Sequence, residues 1–142
     1  MDVFENLCDE AQNEHIRIVD MPAMEAKAVY VKANGKKLIA LPHADTSAAR
    51  TCMLAEELGH SHTGGDCVLH YDKVNDWKAE AKARRWGHDR LLSRDAILTA
   101  ARNAVDEYEI AFVLNVTVEF LRDAINGLKV RGLWAIDCSM AG

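Results

Sequence analysis

Five consecutive residues, Glu56-Glu57-Leu58-Gly59-His60, have the types and spacing of a hydrolytic metal helix. Residues four apart in an α-helix lie one above the other, so Glu56 and His60 project from one face toward a common point. Glu57 follows the first of them directly, where a His-Glu-x-x-His helix keeps the general base for its attacking water. Glu56 stands where that pattern has its first histidine, and a carboxylate reaches zinc at much the same distance as an imidazole. A hydrolytic site also needs a third protein ligand. Glu80 is the candidate, because Glu80, Ala83 and Gly87 form a stripe of small residues around one carboxylate. Small residues let two helix backbones approach, which would carry Glu80 toward the Glu56/His60 face. Two carboxylates and one imidazole neutralise a dication, and oxygen donors admit manganese (Mn2+) beside zinc (Zn2+).

Taken alone, Glu-Glu-x-x-His also recurs by chance on helices whose glutamates merely face water. Its setting favours the metal reading: it follows a hairpin, ends at a Gly-rich loop and precedes the helix that carries Glu80. His62 is a reserve ligand, expected in that loop with solvent contact. His15, His43, His70 and His88 have no partner spacing, and Asp66 stays in the same background. Tyr71 is an oxyanion donor only if its loop folds over the site. Cys8, Cys52, Cys67 and Cys138 are scattered without a Cys-x-x-Cys pair and read as four reduced thiols. Cys67, the nearest after His60, is not expected to be a ligand.

The elements that must position these residues are readable in outline. Residues 2–14 form a helix with Val3, Leu7 and Ala11 on one stripe, and His15 to Val19 alternates like a strand. Val29 to Leu41 is a hairpin about Asn34-Gly35, which suits a type I′ turn. In that register Val31 faces Leu38 and Val29 faces Ala40 on one side, while Lys32 faces Lys37 on the other. A like-charge pair belongs on a wet face, so the expectation is a small, antiparallel, one-sided sheet covered by the motif helix. That helix, capped by Asp45, Thr46 or Ser47, runs from Ala48 to Leu58. A second helix spans about 76–86. Ser93, Asp106 and Thr117 then cap three more, reaching Arg102, Val113 and Leu128.

At 142 residues, with 49% apolar and 27% charged residues, the chain reads as one soluble α+β domain. Residues 1–92 would form the catalytic core, 93–128 the C-terminal helices and 129–142 a tail. No run approaches the roughly 18 apolar residues of a membrane span. The acidic start lacks the order of a signal peptide, so a cytoplasmic protein is expected. A net charge of −5 argues against a general nucleic-acid binder.

The segments Thr51 to His60, Glu80-Ala81-Lys82-Ala83-Arg84-Arg85-Trp86 and Leu114 to Leu121 together resemble the ImmA/IrrE family of metallopeptidases. The likeness is to its short members from prophages and integrative elements, spans nearly the whole chain and keeps the motifs in order. The resemblance implies a zincin-like minimal fold and a cytoplasmic zinc-dependent protease. Its substrate would be a helix-turn-helix repressor, whose cleavage induces the genes of the mobile element. Carried over, Glu57 matches the catalytic glutamate, His60 the second motif ligand and Glu80 the downstream acidic ligand. Glu56 occupies the first ligand's position.

Two other classes compete. A catalytically inactive relative would bind a repressor or other partner without cutting it, and Glu56 is its support. A DNA-binding regulator is suggested by Ala111, Asn115 and Leu121. These fall where a helix-turn-helix wants a small residue, a left-handed turn residue and a buried apolar one. Its second helix, however, sets Glu119 and Asp123 against a lone Arg122, and phosphate would repel them. A packed helical hairpin that helps dock a protein substrate is the better expectation.

Overall fold

The computed structural model describes residues 2–64 and 73–134, with side chains described from 77 onward in the second segment. Asp66, Cys67, His70, Tyr71 and Cys138 lie outside the described residues. The element order is α1 (Val3–Asn13), β1 (Ile16–Asp20), β2 (Val29–Ala33), β3 (Lys36–Leu41) and α2 (Ser47–Thr63). Then follow α3 (Lys73–Leu91), α4 (Arg94–Ala101), α5 (Glu107–Leu114) and α6 (Val118–Val130). This is a mixed α+β architecture, a three-stranded sheet with six helices among the described residues. Among the described residues no helix is long and apolar enough to cross a membrane.

Local chemistry explains where these helices start. Asp2 and Glu5 form a reciprocal capping box on α1. Thr46 takes the Ala49 N–H at 3.0 Å to open α2. Ser93, Asp106 and Thr117 cap α4, α5 and α6 in the same way.

The hairpin has the expected register, with Val31 opposite Leu38, Val29 opposite Ala40 and Lys32 opposite Lys37. Asn34 and Gly35 carry the turn at φ 52° and 76°, both left-handed as a type I′ turn requires. Two details of the expected sheet need correction. The sheet is mixed, in the order β1-β3-β2, because β1 pairs parallel with β3. The chain leaves β1, crosses to the far edge to lay down β2, and only then returns through the centre. The covered face is also the opposite one. Tyr30, Ile39 and Leu41 are buried against Leu54, Ala55 and Leu58 of α2, while Val31 is 39% exposed. Tyr30, Ile39 and Leu41 together fill the space over α2, so the Lys32/Lys37 pair shares the helix-facing side, at its turn end.

Two apolar clusters result. The first joins α1, the sheet and α2 through Leu7, Ala11, Ile16, Ile39, Leu41 and Leu54. The second joins the C-terminal helices to α2 through Ile97, Ala111, Phe120, Leu121 and Cys52. Burial pushes the Cys52 thiol up to about 11, so it stays protonated and behaves as a small apolar side chain. Side-chain ties lock the layers. Arg50 reaches Asp20 on β1 at 2.6 Å and lies over the Phe4 ring, while Arg90 grips both oxygens of Glu10.

Candidate metal centre

Helices α2 and α3 meet with almost no side-chain spacer between them. A Cβ on Gly59 would stand 2.2 Å from the carbonyl oxygen of Ala83, and Ala83 itself is fully buried. One on Gly87 would come within 3.3 Å of the Ala55 backbone. The small residues at 83 and 87 therefore mark the line along which the two backbones touch. Glu80 lies one turn before Ala83, and His60 follows Gly59, so the same contact sets the two side chains face to face. His60 Nε2 and Glu80 Oε1 are 3.1 Å apart.

That separation is an ion-pair distance, and it is also close to the roughly 3.3 Å ligand–ligand edge of a tetrahedral site with zinc bonds near 2.0–2.1 Å. Glu56 precedes His60 by one helical turn and is half-buried. Its carboxyl is raised from the ordinary range, first by burial and then by Glu80, against the pull of Arg84 and Lys27. Glu57 is the most enclosed of the group at 8% exposure. Burial, with Glu80 and Glu56 beside it, pushes its carboxyl up to about 8, although it accepts a backbone hydrogen bond from Tyr30. Three carboxylates thus crowd one small region, where Glu56 and Glu57 resist ionisation, first through burial and then through the neighbouring carboxylates. A divalent cation would relieve that repulsion, and the carboxylate and imidazole donors are ones that zinc and manganese accept. The residues fit such an ion in donor chemistry and charge. Among the described residues, His60 and Glu80 meet, but no third donor is grouped with them around one point.

His62 is placed differently from the expectation of a loop. Helix α2 continues through Thr63, where the Thr63 hydroxyl bonds back to the Gly59 carbonyl. Two residues beyond His60, the His62 ring points away from Glu80. It stacks on Trp86 at 4.4 Å and meets Glu14 Oε1 at 2.9 Å. Glycine at 59 does not break this helix, because the residue serves the contact with α3 and its backbone stays helical. His43 pairs with Asp45, and His88 packs edge-on against Phe120.

Three contributors escaped the sequence reading. Arg84 and Lys27 offset charge at Glu56, and the Tyr30 N–H reaches Glu57. Arg84 follows Glu80 by four residues and so shares its face, a signal that was available. Nothing local marks Lys27 or Tyr30, which arrive through the sheet.

The sequence profile of the peptidase M78 family, the IrrE N-terminal-like domain, matches residues 9–126. The match runs from α1 to α6 and takes in every residue of the centre just described, so the fold and site define a metallopeptidase-like domain. The chain belongs to that family. No curated protein and no solved structure matches it.

One consequence for stability is directly measurable. In the chelated protein the Glu57 carboxyl is raised from 4.5 to about 8. The native state therefore holds a proton that the unfolded chain has released. This contribution is complete below the unfolded value and is lost as pH rises through the folded one. Melting of the chelated protein, followed by circular dichroism, should shift to lower temperature between about pH 5 and pH 8.5. Glu57→Gln, neutral throughout, should flatten most of that fall. Parallel curves for the two proteins would show that the crowding does not act on Glu57.

Proposed function

We propose that the chain is a divalent-metal-dependent cytoplasmic endopeptidase that cuts a helix-turn-helix repressor of a mobile element. The observation that carries this reading is the convergence of His60 and Glu80 at 3.1 Å beside the buried Glu57. Glu56, His60 and Glu80 would hold the ion, zinc or manganese. When bound, the ion supplies Lewis-acid chemistry, polarising water and the scissile carbonyl. Glu57 takes the proton from the attacking water and passes it to the departing amine, so the peptide C–N bond breaks with no net proton uptake at the carboxylate. Burial keeps bulk water from competing for that proton.

Strand β2 is an edge strand, with Tyr30 beside Glu57, so its outer backbone groups suit an extended substrate segment. Helix α5 exposes Tyr108, Phe112 and Val113 among the acidic residues Asp106, Glu107 and Glu109. An apolar face with an acidic rim complements the basic surface of a DNA-binding protein. Arg122, the one cation at the exposed start of α6, is paired with Glu107, which supports a protein partner over DNA.

The test is direct. Protein purified without chelator is assayed for zinc and manganese, then incubated with purified helix-turn-helix repressors of mobile elements. Near-stoichiometric metal and a discrete cut that chelator abolishes are expected. The inactive binding module is favoured by one observation, that Glu56 is not gathered with His60 and Glu80. Sub-stoichiometric metal with an uncut repressor that co-elutes would select it.

A further inference from the structure

A groove of about 470 Å³ lies between α3 and α6, and neither His60 nor Glu80 lines it. On α3 it is lined by Arg84, Arg85 and His88, which recur on one helical face; on α6 it is lined by Asp123, Asn126 and Gly127, with Arg131 beyond the helix end. Three guanidinium groups around one hollow are unexpected in a chain of net charge −5. Arg131 is held by Asp89 at 3.0 Å, and its charge is accounted for. Arg84 and Arg85 have no hydrogen-bond or ion-pair partner among the described residues. Within the groove they outnumber Asp123, its remaining carboxylate, although Arg84 also acts on the charge of Glu56.

One further observation indicates that the hollow is made to be filled. Gly127 stands inside α6 with an ordinary helical backbone, and a Cβ built there meets nothing within 4 Å. Gly59 and Gly87 are explained by the close approach of α2 and α3, whereas no packing contact requires glycine at 127. It weakens the helix by about 1 kcal/mol relative to alanine and keeps the floor of the groove open.

We propose that the α3–α6 groove binds a small organic oxyanion, one carrying a phosphate or carboxylate group. Arg84 and Arg85 provide forked donors for the anion, and Asn126 an amide donor. The His88 ring, kept neutral by burial, forms part of the groove wall. The volume falls within the range of small-molecule sites. The assignment does not depend on the chain being a protease.

Inorganic phosphate and malonate serve as the two probes, each titrated at constant ionic strength into the full-length, metal-loaded protein. Binding is followed by calorimetry and by the ¹⁵N shifts of the His88 ring. Saturable one-to-one binding that moves the His88 signals is expected for at least one probe, and the stronger probe identifies the headgroup. Gly127→Leu, which fills the hollow while favouring the helix, should weaken that binding about tenfold or more, the scale of one charge-assisted hydrogen bond. Arg84→Gln combined with Arg85→Gln should do the same, and Arg102→Gln, remote from the groove, should not. Circular dichroism verifies the fold of each variant. Binding that survives Gly127→Leu, as anion capture by the metal centre would, overturns the proposal. So does a response to neither probe, or one that fails to saturate.

Discussion

Glu57→Gln is expected to lower repressor cleavage by between about 100- and 10,000-fold, the usual contribution of a positioned general base. Glutamine keeps the shape of the side chain and can still meet the Tyr30 backbone, but it cannot accept the proton of an attacking water. Metal content should be unchanged, because His60, Glu80 and Glu56 remain. The variant should also be at least as stable as the parent in chelator near pH 8, since it removes one of three crowded carboxyls. Cleavage products quantified by mass spectrometry, alongside metal analysis of the same preparation, separate this role from a structural one. Unaltered cleavage would remove Glu57 from the reaction, and lost metal would make it a ligand.

Gly59→Ala should be the most disruptive methyl addition among the described glycines. The new Cβ would lie 2.2 Å from the Ala83 carbonyl oxygen, and that neighbour is backbone in the middle of a helix. No rotamer change relieves such a clash; α3 must move away from α2 by roughly an ångström. Overpacking of this kind costs about 1–3 kcal/mol, which for a chain of this length lowers Tm on the order of 10 °C. The displacement falls next to the His60/Glu80 pair, so metal affinity should fall with stability. Gly87→Ala is the internal control: its Cβ would meet the Ala55 backbone at 3.3 Å, which a few tenths of an ångström of movement accommodates. Melting curves and zinc titrations of the two variants test whether the helix contact, rather than glycine itself, sets the geometry. Equal behaviour of both would refute it.

Recognition of the family, of the helix order and of the helix starts rested on signals carried within a few residues. Caps at Asp2, Thr46, Ser93, Asp106 and Thr117 are such signals, as is the Asn34-Gly35 turn. Elsewhere long-range packing overrode the local pattern. Gly59 looked like the end of a helix and proved to be its closest contact point. The glycines at 59 and 64 suggest a loop at His62, whereas α2 continues through Thr63. The sheet was turned over because Val29, Val31 and Leu38 appeared the stronger apolar set, whereas Tyr30 fills the space over α2.

What the chain determined by itself was therefore the chemistry at hand: a helix bearing Glu56, Glu57 and His60, and a later helix with a carboxylate among small residues. Periodicity and capping act over one or two turns, and they suffice for that. Which of those groups meet was decided only by tertiary structure. The approach of Gly59 to Ala83 puts Glu80 on His60, and burial beneath β2 raises the Glu57 carboxyl. Both depend on atoms more than twenty residues apart in sequence, where no local preference acts and only close packing and a shared electric field can choose.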